Sequence, residues 1–389
     1  MKISGILTFA FLNLKIFAQT NFEKQTQFYL DVPINIEVIN QPMAVKTTDG
    51  KWNLSYTLLI TNFSFSNLTL VSASVIDNLT NKVLTTYGNK ELQEYYRYRT
   101  LVPTPPRSTM PDNKFPGELM SGRTAVLFFW LKIDSTPQHL SHSLVFKKND
   151  LIKILKDSIY DNDSNMVFKN YIVDVSKENP VVIASPVKGK GWYCANAPAY
   201  NTNHQYLTIR NGKMRIAQRF AIDFKKVDKD SNALPSPFPD TISNKMFYGY
   251  GENIYAVADG IILDIKDDIP ENVPQVNGDI TPAVPIRDET VSGNRITLKI
   301  KNGCYAFYAH LQPGSIKLKV GDKVHQGQLL ARLGNSGNAV GPHLHFHIGN
   351  SKSLNGSEGI PFVLESFIIN NKMHNKEIPI NGDIVDFKN

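Results

Sequence analysis

Alternating polar and apolar positions dominate the first half of the chain, between about Phe28 and Lys177. The stretch KWNLSYTLLITNFS, residues 51–64, and the stretch LTLVSASVID, residues 68–77, alternate in this way, while RTAVLFFWLKID, residues 123–134, is a continuous apolar run. Period-two alternation is typical of strands with one buried face, and a short apolar run is typical of a fully buried strand. Turns rich in Asn, Gly and Pro separate these segments. The pattern therefore predicts an antiparallel β-sandwich.

Short strand-like runs also fill the second half, where helical periodicity is nearly absent. They read QRFAIDF, NIYAVADGIILDI, NRITLKIKNGCYAFYAHL, IKLKVGDKVHQGQLLARLG and PHLHFHIG, with Gly-Asp, Asn-Gly and Asp-Gly turns between them. A segment rich in Pro, Gly and Asn separates the two halves near Val181, and 389 residues are long for one domain. We predict an all-β protein with an N-terminal β-sandwich domain at residues 19–180 and a second antiparallel β domain at residues 181–389.

The first residues, MKISGILTFAFLNLKIFAQT, resemble a secretory signal peptide. An apolar run ends at the small residue Ala18, and Asn13 and Lys15 interrupt it, so that it is short for a membrane span. We predict that residues 1–18 are removed as a signal peptide. The mature protein is then expected outside the cytoplasm, secreted or periplasmic, with no membrane span.

Composition narrows the class of protein further. With 42% hydrophobic and 20% charged residues, the chain is typical of a globular protein and not of a disordered, collagen-like or coiled-coil one. The net charge of +7 is spread along the sequence, which would favour an anionic surface such as a cell wall. Because no cluster of Lys and Arg is interleaved with aromatic residues, no nucleic-acid partner is predicted. We expect a monomer.

The two cysteines leave an alternative open. Cys194 and Cys304 would both meet an oxidising compartment after export. They form either one disulfide or two separate buried thiols.

Three histidines alternate along one strand-like segment. In PHLHFHI the side chains of His343, His345 and His347 share one face, since successive side chains in a strand point to opposite sides. Neighbouring histidines on that face lie about 6 to 7 Å apart. One imidazole can therefore bind a metal while its neighbour reaches a water bound to that metal. The pattern favours a metal-binding or catalytic role.

A further histidine, His310, ends an aromatic strand-like run before a Pro-Gly turn. Side chains at such strand ends reach into clefts, so His310 is a second candidate for the site.

Together these motifs carry a resemblance to a known family. The chain presents, in order, AIDF, Ala-x-x-Asp-Gly, Tyr-Ala-His-Leu, Gly-Asp-x-Val-x-x-Gly-Gln and Gly-Pro-His-Leu-His-Phe. In this order they resemble the lysostaphin-like (LytM-type) zinc metallopeptidases, which cleave short peptide bonds, chiefly in bacterial peptidoglycan. The resemblance covers roughly residues 190 to 370, about half of the chain. It implies the duplicated-hybrid-motif fold, a small antiparallel β structure related to lipoyl-carrier barrels.

The resemblance also implies roles for particular residues. It implies that Asp223 and His345 bind zinc, and that His343 and His310 position and activate the attacking water. Since an imidazole suits proton transfer near neutral pH, we assign His343 as the base, and His310 would hold the water or stabilise the oxyanion. His347 stands where the family more often has Glu or Gln, and is expected to support a metal ligand or to serve as a spare one.

One position departs from the family pattern. The family's commonest form has a zinc-binding His four residues before the Asp, but this chain has Arg219 there, and a guanidinium has no lone pair to offer a metal. In one interpretation His204 supplies the third ligand, because His325 lies in a turn and His374 in a polar tail segment. In the other, zinc is absent and Arg219 pairs with Asp223.

These interpretations lead to different functions. The first predicts a secreted zinc endopeptidase acting on peptidoglycan cross-links or stem peptides, or on other peptides. The second predicts an inactive scaffold that binds cell-wall peptides or regulates a partner hydrolase.

Overall fold

The computed structural model describes residues 33–64, 66–93, 97–100, 118–149, 165–199, 202–236, 242–274 and 280–388. The predicted signal peptide, residues 1–18, lies outside this part of the chain. Within it, no helix is both long and apolar enough to cross a membrane.

The regular elements of the first half are almost all strands. They are β1 (Ile34–Val38), β2 (Val45–Lys46), β3 (Trp52–Asn62), β4 (Leu68–Asp77), β5 (Val83–Tyr87), the short helix α1 (Asn89–Gln93), β6 (Tyr98–Thr100), β7 (Glu118–Leu119), β8 (Thr124–Ile133), β9 (His139–Lys148) and β10 (Asn165–Asp174).

Strands also dominate the second half. They are β11 (Val181–Ile183), β12 (Gly189–Ala195), β13 (Thr208–Arg210), β14 (Lys213–Arg215), β15 (Ile222–Lys226), β16 (Asn253–Tyr255), β17 (Gly260–Lys266), β18 (Val273–Pro274), β19 (Ile280–Thr281), β20 (Asn294–Lys299), β21 (Tyr305–Leu311), β22 (Lys323–Val324), β23 (Leu329–Arg332), β24 (Leu344–Gly349), β25 (Phe362–Ile369), β26 (Lys372–Glu377) and β27 (Ile384–Phe387). Two 3-10 turns lie at Asn244–Met246 and Lys301–Gly303.

Two five-stranded sheets form in the first half. One has the order β1-β3-β8-β6 with β2 also paired to β3, and the other has the order β10-β9-β4-β5 with β7 also paired to β4. The apolar run of β8 is buried along almost its whole length, as a central strand requires. The all-β prediction is confirmed. Packing of the two sheets as a sandwich stays a prediction.

The large sheet of the second half holds eleven strands. Its order is β11-β25-β27-β12-β15-β24-β21-β20-β17-β22, with β26 paired to β25. The pairs at its centre are antiparallel, and β11 with β25 is a parallel pair. The strands β15, β24 and β21, which carry the predicted site residues, are therefore neighbours in the middle of this sheet.

The described residues group into two compact units. The first takes those within 1–38, 58–127 and 140–172, and the second takes those within 39–57, 128–139 and 173–389. The second unit thus includes two segments that precede Val181. The domain boundary at that residue stays a prediction.

The apolar face of β24 lies in the core of the second unit. Leu344, Phe346 and Ile348 are fully buried and belong to one cluster with Trp192 and Phe224. The alternation predicted for this segment is present, and the opposite, histidine-bearing face is also buried. Such burial makes unpaired imidazoles costly, so the contacts of that face are informative.

The two cysteines do not form a disulfide. Cys194 and Cys304 are both free and buried. Burial raises the pKa of each thiol. The structure therefore shows the two separate buried thiols that the sequence left as an alternative.

Candidate active site

Strand register places Asp223 and His345 side by side. Asp223 of β15 lies opposite His345 of β24, and His345 lies opposite Ala309 of β21. Directly opposite residues in an antiparallel pair point to the same face of a sheet. Oδ1 of Asp223 is 2.9 Å from Nδ1 of His345. Ala195 lies opposite Asp223 on its other side. The two functional side chains are thus flanked by alanines, which leave room for groups arriving from the loops.

His204 arrives from the loop before β13. Its Nε2 lies 3.3 Å from Oδ1 of Asp223, and its ring is edge-on to that of His345 at a centroid distance of 4.8 Å. Nδ1 of His204 donates to the Asn196 carbonyl at 2.8 Å, and the Asn196 amide donates to Oδ2 of Asp223 at 2.9 Å. Asn196 therefore fixes both His204 and the carboxylate, a role for which the sequence carried no signal.

His204, Asp223 and His345 form a donor set that fits zinc. Each offers one ligand atom, these atoms lie within 4.8 Å of one another, and all three residues are buried. Zinc in catalytic sites takes three protein ligands from imidazole nitrogens and carboxylate oxygens, and keeps a fourth position for water or substrate. A buried carboxylate beside two imidazoles supplies both the charge and the donor types that such an ion needs.

His343 and His310 lie beside the three donors. Nε2 of His343 is 3.8 Å from Oδ1 of Asp223, and the rings of His343 and His310 have centroids 4.8 Å apart. Nδ1 of His343 donates to the Gly341 carbonyl and Nδ1 of His310 donates to the Ser336 carbonyl, both at 2.8 Å. A carbonyl can only accept, so each neutral ring keeps its lone pair on Nε2.

A β-bulge brings His310 to this face. Ala309 lies opposite His345, so in a regular strand the next side chain would point to the other face. The register between β20 and β21 shifts between the pair at Asn294 and the pair at Ile296, and His310 has a φ of 63°. An extra residue in a left-handed conformation re-aims the side chain that follows a regular stretch. The bulge is what places His310 next to His343.

His347 supports the far side of His345. Its Nδ1 lies 3.0 Å from Nε2 of His345, and its ring stacks on Phe307 with a centroid distance of 4.6 Å. The ring is fully buried. His347 therefore contacts the proposed ligand His345 at Nε2, while Nδ1 of His345 faces Asp223.

Arg219 does not pair with Asp223. Its Nε donates to Oε1 of Glu358 at 2.7 Å, and its Nη1 donates to the Thr57 hydroxyl at 3.0 Å. The guanidinium is buried. The arrangement expected for a site without metal, an Arg219–Asp223 ion pair, is not formed. Glu358 gave no sign of this role in the sequence.

The other two histidines that were weighed as ligands lie elsewhere. His325 is exposed, with Nδ1 3.7 Å from Oδ1 of Asp259. His374 contacts Glu377, with Nδ1 2.7 Å from Oε2. Neither belongs to the group of donors around Asp223.

Burial and charge set the protonation of the cluster. Burial alone would raise the pKa of Asp223, but the neighbouring imidazoles and hydrogen bonds hold it well below its usual value. Burial would lower the pKa of His204, but the Asp223 carboxylate outweighs this effect and raises it. Burial is the main reason that the pKa values of His343, His345 and His310 are lowered. Asp223 is thus a carboxylate, and burial favours the neutral form of His343, His345 and His310, whereas the carboxylate favours the protonated form of His204. Binding of a metal would displace that proton, since a metal binds neutral imidazole.

Comparison with known proteins matches a segment of the second half of the chain to a family. The family model described as peptidase family M23 matches residues 244–356. The M23 match contains His310, His343 and His345, whereas His204 and Asp223 precede it.

Several solved structures are also similar to parts of the chain. A mutant catalytic domain of the prophage-encoded M23 protein EnpA from Enterococcus faecalis is 17% identical, covers 46% of this chain and 93% of its own, and has a TM-score of 0.27. The catalytic domain of lysostaphin from Staphylococcus simulans is 21% identical, with coverages of 44% and 84% and a TM-score of 0.23. A zinc-containing peptidase from Vibrio cholerae is 14% identical, with coverages of 83% and 83% and a TM-score of 0.21. No protein of curated function matches the chain.

Proposed function

We propose that this chain is a zinc metalloendopeptidase that acts outside the cytoplasm on peptidoglycan, at cross-links or stem peptides. The observation that carries the proposal is the convergence of His204, Asp223 and His345, with His343 and His310 beside them. The M23 match supports a peptidase. The substrate and the location follow from the family resemblance and from the predicted signal peptide.

The proposed roles divide the cluster into ligands and catalytic bases. His204, Asp223 and His345 would hold the zinc ion. When bound, zinc supplies a Lewis acid that polarises the scissile carbonyl and makes water more acidic.

His343 is the proposed general base. Its Nδ1 proton is committed to the Gly341 carbonyl, so Nε2 is the atom that takes the proton of the attacking water. The Asp223 carboxylate, 3.8 Å from that nitrogen, stabilises the imidazolium that results. The same nitrogen then gives the proton to the leaving amine.

His310 is the proposed partner that orients the water. Its Nδ1 proton is held by the Ser336 carbonyl, so Nε2 accepts a hydrogen bond from the water and aligns it for attack. This assignment favours orientation of water by His310 over donation to the oxyanion while the ring is neutral.

Metal analysis combined with single variants tests the ligand and base assignments. Purified full-length protein should contain about one zinc per chain. His204→Ala and His345→Ala should lose the metal, and His343→Ala should retain it while hydrolysis falls by about 10²- to 10⁴-fold. His325→Ala, at an exposed histidine outside the cluster, is the matched control. Full zinc content in His204→Ala, or a wild-type protein that takes up no zinc, would overturn the assignment.

Digestion of two substrates tests the substrate class. Purified peptidoglycan and casein are incubated with the same preparation, and newly formed amino termini are counted. Release from peptidoglycan alone supports the proposal. Faster cleavage of casein identifies a general peptidase instead, and cleavage of neither by zinc-loaded protein supports a binding scaffold.

A further inference from the structure

Arg219 is a buried arginine that lies three residues before β15, the strand that carries Asp223. The Arg219 side chain is 0% exposed. Besides its bonds to Glu358 and Thr57, its Nη1 lies 3.4 Å from the Ser55 hydroxyl. A guanidinium taken out of water is retained only where partners satisfy it, because the desolvation cost is large. Nε and Nη1 of Arg219 are therefore engaged away from Asp223, while its buried Nη2 has no partner in the described part of the chain.

Glu358, the partner of Arg219, also binds the main chain just before β15. While Oε1 accepts from Arg219, Oε2 accepts from the Ile216 backbone N–H at 3.0 Å. The Gly359 N–H donates to the Ile216 carbonyl at 3.0 Å, and a Cβ on residue 359 would lie only 2.5 Å from the carbonyl oxygen of Ala217. The segment from 216 to 221, just before β15, is thus clamped against residues 358 and 359 at both the side chain and the backbone.

The clamped segment holds the loop of His204. The Gln205 side chain donates to the Arg219 carbonyl at 3.1 Å and to the Ala199 carbonyl at 3.3 Å, and Gln205 is only 3% exposed. The Gln205 N–H closes the turn by donating to the Thr202 carbonyl at 3.1 Å. Since Gln205 is the next residue after His204, this bond links the Arg219 backbone to the loop that carries the imidazole.

We infer that Arg219 is a positioning residue that, through Glu358 and Gln205, holds His204 against Asp223. The inference rests on the proposed function and deepens it, because it assigns a role to a residue that cannot itself bind a metal. It also makes Ser55 and Thr57 of β3 part of the support for the site, although both precede the predicted domain boundary near Val181.

Two variants of the full chain, Arg219→Met and Gln205→Leu, break the support at different points, and Arg219→Lys is the conservative comparison. Arg219→Met removes the charge and the hydrogen bonds while keeping the length of the side chain, and Arg219→Lys keeps the charge. Gln205→Leu leaves the Arg219–Glu358 pair intact and removes the side-chain hydrogen bonds to the Arg219 and Ala199 carbonyls. Arg332→Met and Gln326→Leu, at exposed positions of the second unit, are the matched controls.

Zinc affinity and amide exchange are the two readouts. Arg219→Met and Gln205→Leu should weaken zinc binding by about 10- to 100-fold, as loss of a group supporting a ligand does, and Arg219→Lys should lose less. Amide exchange of residues 202–205 should become faster in the same variants. The controls should keep wild-type values of both. If Arg219→Met does not fold, Gln205→Leu decides alone.

The outcomes separate this inference from the proposed function. Folded variants with wild-type zinc affinity and wild-type exchange would overturn the positioning role. Wild-type protein that takes up no zinc would overturn the proposed function, and exchange at 202–205 would still decide whether Arg219 holds the loop.

Discussion

At the scale of single residues, His347 should strengthen the binding of zinc by the proposed ligand His345. With zinc at Nδ1 of His345, its Nε2 must carry the proton, and Nδ1 of His347, 3.0 Å away, is then the acceptor. His347→Phe keeps an aromatic ring against Phe307 but removes that acceptor. We expect it to bind zinc about 10- to 100-fold more weakly. Competition with a chromophoric chelator measures the affinity.

A second variant at this position isolates the hydrogen bond from packing. His347→Asn offers an amide oxygen near the place of Nδ1 and should keep most of the affinity, although it leaves a smaller side chain in the core. Wild-type affinity in the Phe variant together with a loss in the Asn variant would show that His347 acts only by filling space.

Residue identity predicted part of the site and missed the contacts that support it. His204 could be chosen from the sequence because few imidazoles remained once Arg219 was set aside, and the structure does bring it to Asp223. Glu358 could not be foreseen as the partner of Arg219, since 139 residues separate them along the chain. Asn196 was missed for a related reason: its two hydrogen bonds depend on a loop whose path no local pattern specifies.

At the scale of elements, the bulge in β21 makes the identity of residue 310 matter for stability as well as chemistry. His310 has a φ of 63°, a region that Asn tolerates and β-branched residues avoid. We expect His310→Asn to be more stable than His310→Val by about 1 to 2 kcal/mol, although both lose the imidazole and hydrolyse substrate poorly. Urea unfolding of the two variants measures the difference.

The same pair of substitutions at a regular strand position gives the control. Lys299 of β20 is exposed and is not among the residues with positive φ. There Val should be the more stable choice, because β-branched residues favour extended backbone. The same order at both positions would show that the bulge imposes no special demand.

Alternation predicted the elements well where strands are regular and failed where they are not. The faces of β24 follow from its period of two, and the register with β15 then brings Asp223 to His345. Alternation from Ala309 would predict that His310 points to the face opposite His345, but the bulge turns its side chain to the same face. Bulges depend on pairing across strands, so the sequence of a single strand does not disclose them.

At the scale of the whole molecule, contacts group segments that are far apart along the chain. The change of composition near Val181 predicts two consecutive domains, which stays a prediction, and residues 39–57 and 128–139 group by contact with the second unit. Val45 and Trp130 belong to the core of that unit. Contacts of this kind join segments distant in sequence, and local composition carries no record of them.

Acid should destabilise the first unit through His142. Burial lowers the pKa of His142 to about 4 from an ordinary value of 6.5, against the opposing effect of the Tyr171 carbonyl. The unfolded state therefore binds the proton first, and the stability present above pH 6.5 is lost as the pH falls toward 4. At pH 5 the loss should be about 2 kcal/mol.

A non-titrating replacement tests this assignment. His142→Gln can still donate to the Tyr171 carbonyl but does not titrate, so its unfolding free energy should fall about 2 kcal/mol less than that of the wild type between pH 7.5 and pH 5. Urea unfolding of the full chain at both pH values measures the change. Identical losses in the two proteins would remove His142 as the cause.

Zinc should stabilise the second unit in proportion to the log of its concentration. In the absence of an ion, folding must bury the Asp223 carboxylate among several imidazoles, whereas an ion bound only by the folded state adds its binding free energy to stability. At a free zinc concentration 100 times Kd, the gain should be about 2.7 kcal/mol, and a chelator should remove it. Calorimetric melting with and without zinc measures the shift.

Magnesium should have little effect, because it prefers oxygen ligands in octahedral geometry. The His204→Ala variant should lose the zinc-dependent shift, measured against its own melting temperature in chelator. A shift that survived in this variant would mean that zinc stabilises the protein at some other place, and the three-donor assignment would then have to be abandoned.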